Sequence, residues 1–342
     1  MPSNNIAFAR NYTSVIDEVY QRASVSGVLN SGRRMVRAGH NAKETLIPKI
    51  SVTGLGDYTR NVGYKTGAIT YEFETKTFNY DRGIRLFADV MDVEEAGVND
   101  CFVEAGAELQ RTQVAPEVDA FTFAQIAGHT GVTTVTERYA SADAEDILED
   151  LRTVTSAMDE NQVTLGSRIL FITPTLKGVL DDFSYANPNR SNRMLERFSR
   201  IVEVPQVRFY TAIDLLSGDD DQFGYQRSEG SYVPTADTEV DASKTYYTRS
   251  GSEGSYTYTA VASPTKSGLA SYYELTGVGH AINFMVVEKS AVIKFDKHVA
   301  SRVFSPDELE SLDSYMMKYR KYGIVELFDN KLDGVYVSAA TE

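Results

Sequence analysis

From Glu44 to about Phe87 the sequence describes one long extended excursion that cannot stand alone. Ile47, Ile50 and Val52 lead out, Gly54, Gly56, Gly63 and Gly67 punctuate the tip, and on the return Ile69, Tyr71 and Phe73 alternate with Thr70, Glu72 and Glu74. A period of two puts the apolar three on one face of a strand and the polar three on the other. A solitary hairpin of this length is marginally stable in water. The face of Ile69, Tyr71 and Phe73 therefore demands a neighbour, elsewhere in the chain or in another subunit.

A helix of unusual length follows. Between Asp92 and Ile126, Val98, Phe102, Ala105 and Leu109 share one face, and Pro116 predicts a kink rather than a stop because Val118 and Phe121 carry the stripe onward. At about 1.5 Å per residue it runs on the order of 50 Å. A second helix places Ala144, Ile147, Leu148, Leu151, Val154 and Met158 on one face, with Glu145, Asp146, Glu149 and Asp150 in its early turns, where the helix dipole favours negative charge. Arg168–Ile172 reads as a short apolar strand, and Thr173-Pro174 opens a helix through Leu176, Val179 and Leu180. Val204 to Leu216 reads as strand, and Ala281 to Phe304 as two or three strands turning near Lys289-Ser290. Pro306 to Arg320 reads as a helix carrying Leu309, Leu312 and Met316, and Tyr322 to Phe328 with Gly334 to Val337 as a terminal hairpin. Residues 1–43 form a polar arm with a short helical stretch around Val15 to Tyr20. The class is α+β, and a chain of 342 residues is expected to divide its core into two or three lobes.

Composition removes several classes of function. A single cysteine, Cys101, excludes an internal disulfide framework and any multi-cysteine metal site, and fits a reducing compartment. Met1 to Asn11 lacks the apolar run of a signal peptide. The densest apolar run, Ala281 to Val287, is interrupted by Asn283 and falls far short of the roughly 20 residues that span a bilayer. A net charge of -14 argues against charge-driven wrapping of nucleic acid, though not against enclosing it.

Motifs for chemistry are missing as well. There is no Gly-x-Ser-x-Gly elbow and no phosphate loop. Gly54-Leu55-Gly56 and Gly277-Val278-Gly279 lack the third glycine of a dinucleotide fingerprint. Asp219-Asp220-Asp221 resembles half a calcium loop, but Phe223 sits at a ligand position and Gly230 replaces the closing glutamate. His40, His129, His280 and His298 have no metal-ligand spacing. No catalysis, cofactor or metal is expected.

Two features remain. Between Leu216 and His280 the composition turns to Ser, Thr, Gly and Tyr, and Ser228-Glu229-Gly230-Ser231-Tyr232 recurs unchanged as Ser252-Glu253-Gly254-Ser255-Tyr256, each copy running on to a Tyr-Tyr pair. The pattern implies two copies of one hairpin with Tyr232, Tyr246, Tyr247, Tyr256, Tyr272 and Tyr273 as candidate binding surface, or else a decorative insertion. Arg190, Arg193, Arg197 and Arg200, if Ser191 to Ile201 is helical, form one guanidinium stripe facing phosphates or a neighbouring subunit's carboxylates. The alternative is a solvated face balanced by Glu196, Asp181 and Asp182. Arg33, Arg34, Arg37 and Lys43 add positive charge to the arm.

This order of parts resembles the tailed-phage major capsid proteins with the Hong Kong 97-like fold. The resemblance implies an N-terminal arm at 1–43, an E-loop hairpin at 44–88, the spine helix of a P-domain at 89–140, a P-domain helix and A-domain at 141–217, a β-rich insertion at 218–277, and A-domain and returning P-domain strands at 278–342. Glu44 to Phe87 looks like the E-loop, Asp92 to Ile126 like the spine helix, Arg168 to Pro174 like the strand-to-helix opening of the A-domain, and Lys297 to Phe304 like the returning strand. It implies a non-enzymatic shell subunit that assembles with itself as hexamers and pentamers in the host cytoplasm and resides in the virion capsid. It also brings a portal protein, a separate scaffolding protein and packaged double-stranded DNA, with no membrane. Ile69, Tyr71 and Phe73 would then cover a neighbour. Lys65 and Lys76 lie in the hairpin that some members crosslink, but no motif fixes a partner for them. The rival readings are an encapsulin-like compartment shell and a carbohydrate-binding or adhesive surface protein.

Overall fold

The computed structural model describes residues 24–30, 37–38, 44–61, 63–91, 106–137, 139, 144–187, 193–252, 255–308 and 314–340. In chain order the strands of the first part are β1 (Arg37–Ala38), β2 (Glu44–Val52), β3 (Ile69–Thr77), β4 (Tyr80–Asp89), β5 (Thr133–Thr136), β6 (Arg168–Ile172), β7 (Arg200–Glu203), β8 (Ile213–Leu215) and β9 (Tyr225–Arg227). Then come β10 (Glu229–Pro234), β11 (Tyr246–Ser252), β12 (Ser255–Ala260), β13 (Tyr272–Val278), β14 (Ile282–Glu288), β15 (Val292–Phe304), β16 (Ser314–Leu327) and β17 (Val335–Ala339). The α-helices are α1 (Ala115–Ala127), α2 (Ala144–Glu160) and α3 (Pro174–Ala186). The chain divides into two compact units: Met1–Thr112 with Val292–Phe328, and Gln113–Ala291 with Asp329–Glu342.

The first unit holds two small sheets, β1-β2-β3 and β15-β16-β4. β2 and β3 pair antiparallel from Glu44 opposite Thr77 to Val52 opposite Ile69, which is the hairpin the alternation anticipates. β4 then leaves that sheet to pair with β16. The corner between them is fastened. Phe78 packs on Phe295 and Tyr322, with ring centroids 5.6 and 4.7 Å away. The Asn79 amide donates to the Val325 carbonyl at 2.7 Å and accepts from the Val325 N–H at 3.0 Å. The Lys294 ammonium is buried and donates to the Ser26 carbonyl at 3.2 Å.

The second unit is a layered α/β arrangement on a five-stranded sheet, order β5-β17-β14-β6-β7. β6 is buried at every position, as a central strand covered on both faces must be. Its Leu170 and Ile172 join Phe284 and Val286 of β14 in packing against Ile147, Leu151, Val154 and Met158 of α2 and Leu176 and Leu180 of α3. On the opposite face Phe171 meets Phe123 of α1 edge-on at 5.1 Å, and Phe123 meets Phe209 at 4.9 Å. Arg168, fully buried at the start of β6, is satisfied by the Val163 and Thr164 carbonyls at 2.6 and 3.2 Å and by Asp159 at 2.7 Å.

Residues 106–127 are helical, widening to a π turn at Gln110–Val114 before α1. Pro116 has no N–H to donate, and its ring crowds the carbonyl four residues back. The irregularity of the long helix thus falls in the turn before the proline, and the helix runs on to Ala127. α1 is buried nearly all round, as befits a helix inside a domain rather than on its surface. Residues 92–105, the arm before Ser24 with Arg33 and Arg34, and Arg190 and Cys101 lie outside the described residues.

Three sequence expectations are overturned. Pro306 to Arg320 is not a helix: Pro306–Glu308 is a short 3-10 turn and β16 starts at Ser314. Tyr322 to Phe328 and Gly334 to Val337 do not form a hairpin, because β16 pairs with β15 and β4 while β17 pairs with β14 and, in parallel, with β5. Val204 to Leu216 is mostly a 3-10 turn and loop, with only Ile213–Leu215 extended. Ala281 to Phe304 does form two strands about Lys289–Ala291.

Candidate functional site

Two surfaces and one cavity collect the residues singled out by sequence. The first surface is the β2–β3 hairpin, whose register sets Ile50 opposite Tyr71 and Val52 opposite Ile69. Opposed residues share a face, so Ile50, Val52, Ile69, Tyr71 and Phe73 form one strip. They are 60%, 64%, 75%, 53% and 43% exposed. Tyr71 and Phe73 meet edge-on at 5.2 Å. The tip adds exposed Leu55, Tyr58 and Tyr64, the last two with rings 4.9 Å apart. The reverse face of β3 carries Thr70, Glu72, Glu74 and Lys76, with Lys76 2.9 Å from Glu74. Contiguous apolar surface of this kind marks a place built to be covered. The sequence points to Ile69, Tyr71 and Phe73. Ile50 and Val52 complete the strip, and folding the alternation back about its glycine-rich tip would have revealed them.

The second surface is the four-stranded sheet β10-β13-β11-β12. Its register sets Tyr247 opposite Tyr273, Tyr232 opposite Leu275, and Arg249 opposite Tyr258. On that face Tyr232 stacks on Tyr258 at 3.9 Å and meets Tyr247 at 5.0 Å, while Tyr258 meets Tyr273 at 5.4 Å. The Arg249 guanidinium lies 4.3 Å from the Tyr256 ring and 5.0 Å from that of Tyr273. Tyr232, Tyr247, Tyr256 and Tyr273 are thus brought together, with Tyr258 and Arg249 as members the sequence did not single out.

Tyr246 and Tyr272 are a correction. Each precedes its partner by one residue and so points to the other face, where both are buried with Leu269. The Tyr246 hydroxyl donates to Asp237 at 2.7 Å and accepts from the Asp241 N–H at 3.0 Å. Lys244 bridges Asp237 at 2.9 Å and Glu274 at 3.1 Å. Hydrogen bonds from Lys244 and then Tyr246 hold the Asp237 carboxyl below its ordinary range, and those to Asp237 and Glu274 raise the Lys244 ammonium above its own. The two tyrosines are fasteners of the loop, not contact surface. The pentapeptide copies also differ in structure. Glu229 to Tyr232 lie within β10, whereas in the second copy Ser252 ends β11 and Ser255 and Tyr256 begin β12. Gly251, at φ +102°, sits where a Cβ would strike the Ser255 carbonyl.

Arg193, Arg197 and Arg200 do not form a helical stripe, because among the described residues of this segment only 193–195 are helical and Arg200 opens β7. Arg197 donates to the Thr155 hydroxyl at 3.3 Å and lies 3.4 Å from Asp159, the carboxylate that also holds Arg168. Arg193 and Arg197 join Arg152 of α2 around an open cavity of about 700 Å³. Among the described residues no group of three His, Cys, Asp or Glu could hold a metal ion, and no helix is long and apolar enough to cross a membrane.

No family model and no curated protein matches this sequence. Solved structures do. The capsid of the cyanophage P-SCSP1u matches with a TM-score of 0.52 at 14% identity, over 92% of this chain and 87% of that one. The capsid of Myoviridae phage XM1 matches with a TM-score of 0.52 at 11% identity, over 93% and 91%. A virus-like particle from Pyrococcus furiosus matches with a TM-score of 0.51 at 8% identity, over 97% and 99%. At such identities the likeness is one of fold, and it runs nearly end to end. The polypeptide described here has the fold of tailed-phage capsid subunits, the Hong Kong 97-like fold.

Proposed function

We propose that this chain is a major capsid protein, a non-enzymatic subunit that assembles with copies of itself into the icosahedral shell of a tailed bacteriophage. The observation that carries the reading is the bare apolar strip of Ile50, Val52, Ile69, Tyr71 and Phe73 on a chain whose fold is shared by shell-forming proteins. In this reading 44–88 is the E-loop, residues 89–140 hold the spine helix, and the strip lies on the next subunit of a hexamer or pentamer. Contacts of this kind are obligate and typically bury 2,000 Å² or more. The -14 charge suits a wall that confines double-stranded DNA without adhering to it. A portal protein and a separate scaffolding protein are further partners of such a shell, formed in the host cytoplasm.

Size-exclusion chromatography with light scattering, followed by negative-stain imaging, tests it. Large particles or sheets of repeating rings are the expected result. A chain that stays monomeric at every concentration overturns the reading. The end-to-end match to the virus-like particle favours a second reading, a shell without a phage genome. Nuclease-protected DNA inside particles purified from their source separates the two.

A further inference from the structure

The cavity between α2, α3 and residues 193–197 has a composition that selects its occupant. Arg152, Arg193 and Arg197 bring three guanidinium groups to it, and Leu148, Phe183 and Met194 give it an apolar wall. Arg152 is engaged by Glu149 at 3.3 Å and Arg197 by Asp159 at 3.4 Å. Arg193 is exposed and makes no ion pair or hydrogen bond with the described residues. The carboxylates of Glu145 and Glu149 also line the space, which disfavours a dense polyanion such as a phosphate backbone. A ligand carrying one or two carboxylates beside an apolar ring fits better, since the fork of Arg193 can take a carboxylate in two hydrogen bonds while the ring enters the apolar wall.

The same unit displays such a ligand. Between β8 and β9 the chain turns through Gly218 to Gly224, with exposed Asp219 and Asp221 and with Phe223 62% exposed. The turn is built rather than slack. The Gly218 N–H donates to the Gln222 carbonyl at 2.9 Å, the Leu216 N–H to the Gly224 carbonyl at 2.9 Å, and the Ser217 hydroxyl to Asp219 at 2.7 Å. Asp221 takes φ +57°, a left-handed conformation that aspartate tolerates in tight turns. Among the described exposed large hydrophobics of this unit, Phe223 is the one that shares a turn with three consecutive acids, Asp219 to Asp221.

The geometry points to a head-to-tail contact in which the Asp219–Phe223 turn of one copy enters the Arg152, Arg193 and Arg197 cavity of the next. Patch and pocket lie on different parts of one chain, so the contact is heterologous and repeats around a ring when its rotation closes. This inference rests on the shell reading and adds to it a specific lock between copies, independent of the β2–β3 strip.

The test is a charge exchange on the full chain, reading the protein concentration at which half of it enters assemblies by light scattering. Arg193→Glu and Asp219→Lys are each expected to raise that concentration roughly tenfold, and the double variant to return it toward the wild-type value. Phe223→Ala is expected to weaken assembly without altering the salt dependence. Far-UV circular dichroism checks that each variant folds, and rescue in the double variant excludes misfolding as the cause. Wild-type particles with an unaffected Arg193→Glu variant remove this contact alone. A defect in Arg193→Glu that Asp219→Lys neither reproduces nor rescues removes the turn as the occupant. A wild-type chain that never assembles removes the shell reading and this contact together.

Discussion

At the scale of single residues, the buried charges are what the sequence conceals best. Arg168 opens what reads as a short apolar strand, and nothing in its neighbours announces a guanidinium with no exposure at all. Its partners are two carbonyls of the preceding turn, the Thr155 carbonyl of α2 at 3.4 Å, and Asp159, nine residues upstream on the last turn of α2. Glu288, set opposite Arg168 at the end of the facing strand, is a similar case. Burial pushes its carboxyl up, but the Ser167 and Ser290 hydroxyls, with Lys331 nearby, outweigh that and hold it below its ordinary value. A depressed carboxyl contributes stability above the unfolded-state value of about 4.3, and that contribution is lost as pH falls through the lower folded-state value. Glu288→Gln should therefore cost on the order of 1–2 kcal/mol at pH 7. The gap from wild type in urea denaturation should close as the medium becomes more acidic than the glutamate range; a gap that stays constant down to pH 3 would show that the charge is not what matters.

Elements were legible where one periodicity ruled and opaque where two competed. The alternation of Ile69, Tyr71 and Phe73 and the stripe of α2 each have one reading, and both elements are present. Leu309, Leu312 and Met316, spaced three and then four residues apart, fit a helix, yet Met317, Tyr319 and Lys321 also alternate with Lys318 and Arg320. The structure takes the second period because β16 lies between β15 and β4 and satisfies its backbone on both sides. The tyrosine pairs show the same limit: adjacency of Tyr246 to Tyr247 and Tyr272 to Tyr273 guarantees opposite faces in a strand, but which face is covered depends on the loops that fold over it. On the shell reading proposed above, assembly at this scale sits on β2 and β3. Tyr71→Asp places a charge in the middle of the exposed strip, where the residue is 53% exposed and gives up little beyond its edge-on contact with Phe73. The variant should keep wild-type thermal stability within about 0.5 kcal/mol and lose large assemblies in light scattering. A Tyr71→Asp chain that still forms full-size particles would move the assembly surface elsewhere.

For the whole molecule, the two units differ in where their cores lie. The second unit has a broad cluster reaching from α2 and α3 across β6 and β14; in the first, the described buried hydrophobics gather on β15 and β16, among them Val292, Ile293, Met317, Ile324 and Leu327, away from the exposed strip of β2 and β3. Local opening free energy follows buried apolar contact. Hydrogen exchange of the unassembled chain should find β6 and β14 slowest, β4, β15 and β16 intermediate, and β2 and β3 fastest, with assembly slowing β2 and β3 most. Equal protection of β2 and β6 before assembly would mean that the hairpin is covered by its own chain. That hairpin also sets a race. On the shell reading, a newly made subunit carries this apolar strip exposed from the moment it folds, and the attraction that would build an ordered wall is indiscriminate enough to build a disordered clump. The outcome is decided by which encounter comes first, so the rate at which a cell supplies subunits is as much a determinant of a sound particle as any residue in the strip.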